Sequence, residues 1–397
     1  MKLTKRCLFP WSFMQFHAGG MMQPCAVGAD TDMGDFIIDY LEKKERENED
    51  DFLNNEGLQK LRKGMLTGDL RPMCQNCFFI SNQLQTTQDF EKQLKGYLQS
   101  KLPNDIDLES ADLTKLYAYD WMAISFTNKC NLSCVYCVQS VLKDTNPYLK
   151  AEIPYEYTEE LLDMVVSKGI TSLSTCVEGE ATLYKHWYDV FSTFHKKYPQ
   201  IQLWMTTNLN RKFSDTEMEL LANYAVLDVS IDSLKPELYS KIRCNGRLDL
   251  LLENLDKLDV KIKQLGIQGP IITLHMVLSD LTWTEIEDIS NFAFARGYGI
   301  QLGNYEERIN TVAYKTGMLK PIEYLSEEDQ NTVRDIIGRV YEKAQKEGRT
   351  FIAQGDIFKK VNENVEKIYH RFTDTDNNPI YKEYLKKYPK GTENNHF

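Results

Sequence analysis

The chain has 397 residues, of which 42% are hydrophobic and 26% are charged, a composition typical of a soluble globular protein. Its formal net charge is -11 at pH 7 and no run of lysine or arginine stands out, which argues against a nucleic-acid partner. The length fits one large α/β barrel with a smaller appended module.

The N-terminal segment 1–16 is basic and then apolar, but Ser12 and Gln15 interrupt the apolar stretch. No small-residue cleavage site follows, so the segment does not read as a signal peptide. No apolar run approaches the ~18 residues of a membrane span. We therefore expect a cytoplasmic protein that does not associate with membranes.

Nine cysteines, an odd number, include two groups with close or paired spacing. In a reducing compartment such groups indicate metal ligation rather than disulfides. Four of them, Cys7, Cys25 and the C-x-x-C pair Cys74 and Cys77, lie within residues 1–78. Four thiolates suffice to complete an iron-sulfur or a zinc site. We expect a small cysteine-rich module over 1–78 and a helical linker over 79–119.

Residues 120–304 alternate short β-branched runs with helical patterns, which is typical of βα repeats. The predicted strands are 121–126, 170–176, 201–207, 226–231, 271–277 and 300–303. Capping boxes are predicted at Ser214 with Glu217 and at Thr282 with Glu285, and Gly169 and Gly297 are predicted to end helices. Six parallel strands favour a barrel or partial barrel over a doubly wound sheet, although spacing alone does not separate the two.

After this core, residues 305–397 are predicted to form a helical C-terminal extension. Its main element is an amphipathic helix over 325–348 with Ser326 as N-cap. One face of this helix is apolar and carries Val333, Ile336, Ile337, Val340 and Ala344. The last twenty residues are polar and are expected to be frayed.

A second cysteine group, Cys130, Cys134 and Cys137, follows the first predicted core strand with the spacing C-x-x-x-C-x-x-C. A four-iron cluster held by three cysteines keeps one iron open to another ligand. The alternatives are a zinc site completed by a distant histidine and three unrelated cysteines. Zinc sites usually pair two C-x-x-C knuckles, so the spacing favours iron.

With this motif, residues 120–304 resemble the radical S-adenosylmethionine (SAM) superfamily. The resemblance implies a partial (β/α)6 TIM-like barrel, a [4Fe–4S] cluster on the three cysteines, and SAM on the open iron. Tyr136 stands at the aromatic position that lies beside the adenine in the family. Glu178, Gly179 and Glu180 stand where the family carries Gly-Gly-Glu, a turn that meets the SAM amino group. Here Glu178 replaces the first glycine.

Further positions at the ends of the predicted strands match the family: Asn208, Ser230, Asp232 and, a little later, Arg243. The resemblance implies that Ser230 and Arg243 hold the carboxylate or ribose of SAM. Carboxyl ends of parallel strands are also where ligands bind in barrels. The alternative is that Asn208, Ser230 and Asp232 only cap helices or close turns.

The N-terminal module resembles the SPASM or twitch auxiliary-cluster module of radical SAM enzymes, which usually follows the barrel. The resemblance implies a second four-iron cluster held by Cys7, Cys25, Cys74 and Cys77. A structural zinc ion remains the alternative, because four cysteines suit either metal.

The activity implied by the resemblance starts with one electron from a flavodoxin or ferredoxin. SAM is cleaved, and the 5'-deoxyadenosyl radical takes a hydrogen atom from the substrate. We expect an oxidoreductase or epimerase acting on a small molecule such as a sugar or aminocyclitol. The alternatives are modification of a ribosomally made peptide and, in another class, a non-catalytic electron-transfer or zinc-binding protein.

One further cysteine, Cys244, follows Arg243 and belongs to neither metal group. A thiol facing a substrate radical returns a hydrogen atom in radical SAM epimerases, so Cys244 is a candidate catalytic donor. The alternative is a buried cysteine that packs as a small hydrophobic residue.

Overall fold

A computed structural model describes residues 3–18, 21–25, 38–39, 54–75, 77, 84–137, 139–140, 151–308 and 311–354. It falls into two compact units, residues 1–128 with 151–178 and residues 129–150 with 179–397, named unit 1 and unit 2 here. The polar C-terminal segment expected to be frayed lies outside the described residues. In the part of the chain that is described, no helix is long and apolar enough to cross a membrane.

The strands are, in chain order, β1 (Thr4–Lys5), β2 (Phe13–Phe16), β3 (Met21–Gln23), β4 (Ile38–Asp39), β5 (Leu84–Gln85), β6 (Trp121–Ile124), β7 (Ser133–Cys134), β8 (Ser172–Ser174), β9 (Gln202–Thr207), β10 (Val226–Ser230), β11 (Arg243–Cys244), β12 (Ile271–Leu278), β13 (Gly299–Asn304) and β14 (Phe351–Gln354).

The α-helices are α1 (Phe9–Ser12), α2 (Glu56–Thr67), α3 (Pro72–Gln75), α4 (Thr87–Lys101), α5 (Thr158–Ser167), α6 (Trp187–Lys197), α7 (Asp215–Ala222), α8 (Pro236–Ile242), α9 (Leu248–Leu265), α10 (Ile286–Ala295), α11 (Val312–Thr316) and α12 (Glu327–Lys346). Short 3-10 turns span Tyr155–Tyr157, Ala181–Leu183, Trp283–Glu285 and Ile322–Tyr324.

Unit 1 contains a sheet in the order β8-β6-β2-β3-β4, in which β8, β6 and β2 are parallel. Beside the sheet, α2 and α4 pack their apolar faces around the fully buried Trp11. Arg62 of α2 is also fully buried and donates to the carbonyls of Pro10 and Thr114 and to the Tyr119 hydroxyl. Arg62 is therefore a buried cation whose acceptors named here are all uncharged. These hydrogen bonds connect α2 to the segments that contain Pro10, Thr114 and Tyr119.

Unit 2 contains the parallel sheet β9-β10-β12-β13-β14 and an antiparallel ribbon of β7 and β11. Leu227 and Val229 of β10 are completely buried, as are Leu274 and Met276 of β12. These residues alternate with more polar ones, since successive residues of a strand point to opposite faces. One face of the sheet is therefore hydrophobic core, and the other carries the polar side chains described below.

The predicted α/β class is confirmed. All six predicted core strands exist, as β6, β8, β9, β10, β12 and β13, and each is followed by a helix in six successive βα repeats. Gly169 and Gly297 have φ angles of 68° and 83°, in the left-handed region that suits a helix end. β2 and β14 were not predicted, because each is a short run that sequence patterns do not separate from a loop.

The capping predictions had mixed outcomes. Ser214 and Glu217 form the predicted capping box, and Ser326 caps α12 by accepting from the Asp329 amide. The capping box at Thr282 is wrong. The Thr282 hydroxyl donates to the Val277 carbonyl at 2.8 Å, and the buried Glu285 carboxylate accepts from Ser233 instead. Glu285 is thus taken up by a distant partner, and Thr282 by a carbonyl five residues earlier.

The predicted amphipathic helix is confirmed as α12, whose buried residues are Val333, Ile337, Val340 and Ala344. Ile336, predicted on the same face, is only half-buried. The compact units do not coincide with the predicted modules. β2, inside the predicted cysteine-rich module 1–78, pairs in parallel with β6 of the predicted core. The module boundaries stay predictions.

Candidate metal centres and SAM site

The loop that carries Cys130, Cys134 and Cys137 lies in unit 2 and is fixed by the β7–β11 ribbon. Cys134 pairs directly with Arg243 in this ribbon, and the Val135 amide donates to the Ile242 carbonyl at 2.9 Å. The Cys137 amide donates to the Cys134 carbonyl at 3.0 Å, which closes a tight turn between the two cysteines. The three thiols therefore come from one short, well-connected segment.

Two side chains from distant parts of unit 2 approach the sulfur atoms. Asn208 Nδ2 lies 3.8 Å from Cys130 Sγ, and Arg243 Nη1 lies 3.8 Å from Cys134 Sγ. Burial raises the pKa of Cys134 to about 12; Arg243 acts in the opposite direction, and Cys137 and Cys130 raise it further. Donors directed at sulfur are a feature of iron-sulfur sites, where they tune the cluster.

These residues fit a cluster bound through three thiolates. In the described ranges no three His, Cys, Asp or Glu side chains converge around one point as they would around a single metal ion. The loop nevertheless keeps Cys130 and Cys137 close enough to act on Cys134. A thiol with so high a pKa loses its proton only when a cation compensates the charge, which is what metal binding provides.

Asp232 is the centre of a buried group of polar residues that includes Tyr136 of this loop. It has no solvent exposure. Its Oδ1 accepts from the Val277 amide at 2.9 Å, and its Oδ2 accepts from the Tyr136 hydroxyl at 3.0 Å and lies 2.8 Å from Arg243 Nε. Burial opposes the charge of Arg243, but Asp232 and the neighbouring Tyr136 raise its pKa above the ordinary value. Asp232 thus positions Tyr136 and Arg243.

Glu180, in the predicted SAM turn, is likewise a buried carboxylate whose oxygens all accept hydrogen bonds. It is 2% exposed; its Oε1 accepts from the hydroxyls of Thr182 and Thr207, and its Oε2 accepts from the Asn208 amide. The Glu180 amide donates to the Lys129 carbonyl at 2.8 Å, next to Cys130. Gly179 before it has a φ of 73°, which only glycine adopts without strain. The turn is therefore tied to the cysteine loop.

Asn208 belongs to a small asparagine network that the sequence analysis did not identify. Its side-chain nitrogen also donates to Asn131 at 2.9 Å, and its side-chain oxygen accepts from the Asn210 amide. Asn131 in turn donates to the Asn210 carbonyl. The repeated asparagines of the segment TTNLN were the available signal, because Asn commonly bonds to nearby backbone at strand ends.

Ser230 lies at the end of β10, opposite His275 of β12. Together with Asp228 it belongs to the polar face of the unit 2 sheet, and Gln301 of β13 pairs with His275 on the same face. Burial, and to a smaller extent Arg243, lowers the pKa of His275 to about 4, so its imidazole is neutral near pH 7. The sequence analysis did not identify the polar face formed by Asp228, His275 and Gln301. The available signals were the polar residues within the strand segments VLDVS and IITLHMVL.

Cys244 pairs with Ser133 in the ribbon, whereas its neighbour Arg243 pairs with Cys134. Successive residues of a strand point to opposite faces, so Cys244 and Arg243 lie on opposite faces of the ribbon. Cys244 is half-buried, and its thiol lies 3.6 Å from the Lys241 carbonyl. Its role as a hydrogen-atom donor stays a prediction.

The other four cysteines come together in unit 1. Burial raises the pKa of Cys7 above its ordinary value, and Cys25, Cys77 and Cys74 each raise it further. Burial raises the pKa of Cys74 to about 12, with Cys25 and Cys77 adding to the effect. The four thiols are thus near enough to act on one another electrostatically, whereas no three of them, all being described residues, converge as they would around a single metal ion. No disulfide joins any of the nine cysteines, all of which lie among the described residues.

Three cations lie near members of this four-cysteine group in space or in the chain. Arg6, next to Cys7 in the chain, is 1% exposed and donates to the Met65 carbonyl and the Thr87 hydroxyl. Lys5 donates to the Cys77 carbonyl at 3.2 Å, and Arg71 lowers the pKa of Cys74. Four thiolates on a divalent metal or a [4Fe–4S] core carry net negative charge, and these cations suit such an anion.

Residues 124–293 match the family model described as the Radical SAM superfamily. The GTP 3',8-cyclase of Nautilia profundicola is 28% identical over 195 residues, which cover 47% of this chain and 57% of that protein. The GTP 3',8-cyclase of Clostridium perfringens (strain SM101 / Type A) is 30% identical over 183 residues, covering 44% and 52%. The chain therefore spans about half the length of the curated relatives it matches.

Among solved structures, native anSMEcpe with bound AdoMet and Cp18Cys peptide aligns with a TM-score of 0.42 and 14% sequence identity. The alignment covers 58% of this chain and 62% of that chain. The matched residues 124–293 include the three-cysteine loop and the 178–180 turn.

Proposed function

We propose that this chain cleaves SAM reductively and abstracts a hydrogen atom from a small polar molecule, because residues 124–293 match the family model described as the Radical SAM superfamily. The observation that carries the proposal is the group of three cysteines in one loop with donors at two of the sulfurs. A non-catalytic electron carrier has no use for an iron that lacks a fourth cysteine ligand.

In this proposal Cys130, Cys134 and Cys137 hold the cluster. When bound, the reduced cluster supplies the electron that breaks the carbon-sulfur bond of SAM. Arg243, held by Asp232, offers its guanidinium to the SAM carboxylate, and the Tyr136 ring borders the adenine. The backbone of the 178–180 turn meets the SAM amino group.

The polar face of the unit 2 sheet is the proposed substrate surface. Asp228, His275 and Gln301 offer uncharged or singly charged hydrogen-bonding groups, which suit a polyol or aminocyclitol, while Ser230 beside them stays assigned to the carboxylate or ribose of SAM. The proposed outcome is oxidation or epimerisation, with Cys244 as the donor in the second case. A flavodoxin or ferredoxin is the proposed reductant.

We also propose that Cys7, Cys25, Cys74 and Cys77 hold an auxiliary [4Fe–4S] cluster in a SPASM or twitch-type module. The mutual effect of their thiols supports a closed four-cysteine site. A structural zinc ion is the alternative, and the two differ in iron content.

A second candidate function is cyclisation of a purine nucleotide, because the curated relatives are named GTP 3',8-cyclases. Modification of a peptide is a third. Incubation with GTP, with a panel of polyols and aminocyclitols, and with peptides distinguishes these substrates by which one increases the rate of SAM cleavage.

SAM cleavage itself is tested with anaerobically reconstituted protein, dithionite and SAM. We expect 5'-deoxyadenosine from the wild type and about eight irons per chain. Changing Cys130, Cys134 and Cys137 together to Ala should remove about half the iron and all of the 5'-deoxyadenosine, because no cluster remains to deliver the electron.

The matched control is Cys244→Ala, a cysteine of the same ribbon outside both metal groups, which should keep SAM cleavage. Persistent 5'-deoxyadenosine in the triple variant would refute the proposed role of the three cysteines. One zinc and only about four irons per wild-type chain would show that the auxiliary site is a zinc site.

A further inference from the structure

Unit 1 contains a histidine that contacts the one residue by which this chain departs from the Gly-Gly-Glu pattern. His17 directly follows β2 (Phe13–Phe16) and is 7% exposed. Its Nδ1 lies 3.6 Å from Glu178 Oε2. Glu178 stands where the family carries the first glycine of the SAM turn. The side chain that replaces this glycine is therefore contacted by a residue of the N-terminal segment, His17.

The orientation of His17 follows from its other neighbour. Gln15, 4% exposed, places its amide nitrogen 2.9 Å from His17 Nε2. An amide nitrogen only donates, so Nε2 accepts from Gln15 and Nδ1 is the ring nitrogen that carries a proton. Nδ1 is the atom that faces Glu178, and the N–H therefore points toward the carboxylate.

The backbone of Glu178 is fixed as well as its side chain. The Glu178 amide donates to Ser125 Oγ at 3.2 Å, and Ser125 Oγ donates to the Glu178 carbonyl at 3.0 Å. Cys176 Sγ lies 3.8 Å from the same carbonyl. His17, Ser125 and Glu178 each follow the carboxyl end of a parallel strand, β2, β6 and β8 respectively, which is where ligand sites form in such sheets.

We propose that His17 is a positioning residue for SAM: through Glu178 it sets the conformation of the turn whose next residues are Gly179 and Glu180. This inference rests on the proposed function, because it assigns the turn to SAM. Glu178 directly precedes Gly179, whose φ of 73° starts the turn, and its carboxylate lies 3.6 Å from His17 Nδ1, so this contact restrains the residue that leads into the turn. His17 lies between Cys7 and Cys25 in the chain, so the same segment supplies the auxiliary ligands and this partner.

The test measures SAM affinity by equilibrium dialysis with reconstituted full-length protein, and the electron paramagnetic resonance (EPR) spectrum of the reduced protein with and without SAM. We expect His17→Leu, which fills the space without a donor, to weaken SAM binding about tenfold, as loss of a supporting partner does at metal sites. His17→Asn, whose amide nitrogen reaches the Nδ1 position, should restore most of the affinity.

A double-mutant cycle isolates the pair. In a Glu178→Gly background the difference between His17→Leu and His17→Asn should vanish, because the partner of the donor is gone. The matched control is Lys101→Ala, which breaks the half-buried ion pair between Lys101 and Asp120 of unit 1, 3.1 Å apart, and should leave SAM binding unchanged.

The possible results distinguish failure of the proposed role of His17 from failure of the proposed function. Equal SAM affinity in wild type, His17→Leu and His17→Asn would overturn this inference and leave the proposed function standing. Equal loss in His17→Leu and His17→Asn, in both Glu178 backgrounds, would also overturn it, because packing alone would then matter. A wild-type protein that does not bind SAM would overturn the proposed function together with the inference.

Discussion

Arg243 contacts three groups of different chemistry: the Cys134 sulfur, the Asp232 carboxylate and the Tyr136 ring, whose centroid lies 5.7 Å from its guanidinium carbon. The sequence analysis selected Arg243, Asp232 and Tyr136 one by one through family resemblance. Their pairing was not predictable, because Tyr136 is about 100 positions away from Asp232 and Arg243, and a separation of that length gives no local signal of contact. The role of Asp232 as a buried anchor emerges only from the structure.

The buried ion pair predicts a large effect on stability. Replacing Arg243 with Met leaves the Asp232 carboxylate buried without its cation, which costs about 3–5 kcal/mol. Urea unfolding of the apo-protein should therefore show a markedly lower midpoint. Arg247→Met is the matched control, since Arg247 pairs with Asp249 at an exposed site where ion pairs contribute little. A similar midpoint for both variants would contradict the assigned role of the pair.

At the scale of elements, sequence patterns identified the six strands because β-branched runs between helical periods are a strong signal. They did not identify which strand face is polar, nor that β2 extends the sheet of unit 1. Both depend on strand order, which comes from pairing between distant segments. The failed capping box at Thr282 has a related origin in part, since the Glu285 carboxylate bonds to the distant Ser233, while the Thr282 hydroxyl bonds to the Val277 carbonyl five residues earlier.

Asp228, on the polar face of the unit 2 sheet, predicts an unusual pH dependence of the free energy of unfolding. Burial raises its pKa to about 6, against the opposing hydrogen bond from Thr273. The folded state therefore binds this proton more tightly than the unfolded state does. The stability contributed by protonated Asp228 is present below about pH 4 and is lost as the pH rises through about 6.

Asp228→Asn should accordingly stabilise the protein at pH 7, by at most about 3 kcal/mol, and have little effect near pH 4. Denaturant unfolding at the two pH values measures the difference. Asp249→Asn is the control, because Asp249 is exposed and its hydrogen bond with Arg247 lowers its pKa, so no gain is expected at pH 7. A gain for Asp228→Asn that is the same at both pH values would rule out the assigned titration.

At the scale of the whole molecule, each unit contains one group of cysteines. Unit 2 contains the three-cysteine loop together with Arg243, Asp232 and Asn208. Unit 1 contains the four-cysteine group. The cysteine spacing predicted both groups, since C-x-x-x-C-x-x-C and C-x-x-C are local patterns. The sequence did not predict that the N-terminal segment also supplies a strand to the sheet and a partner to Glu178.

The central claim is that an iron of the three-cysteine cluster binds the amino and carboxylate groups of SAM. The most direct test is electron-nuclear double resonance on the dithionite-reduced full-length protein, with SAM carrying ¹⁵N in the amino group and ¹⁷O in the carboxylate. We predict hyperfine couplings to both nuclei, and their loss when Cys130, Cys134 and Cys137 are changed to Ala. A reduced cluster that shows no coupling to either nucleus in the presence of saturating SAM would contradict the account.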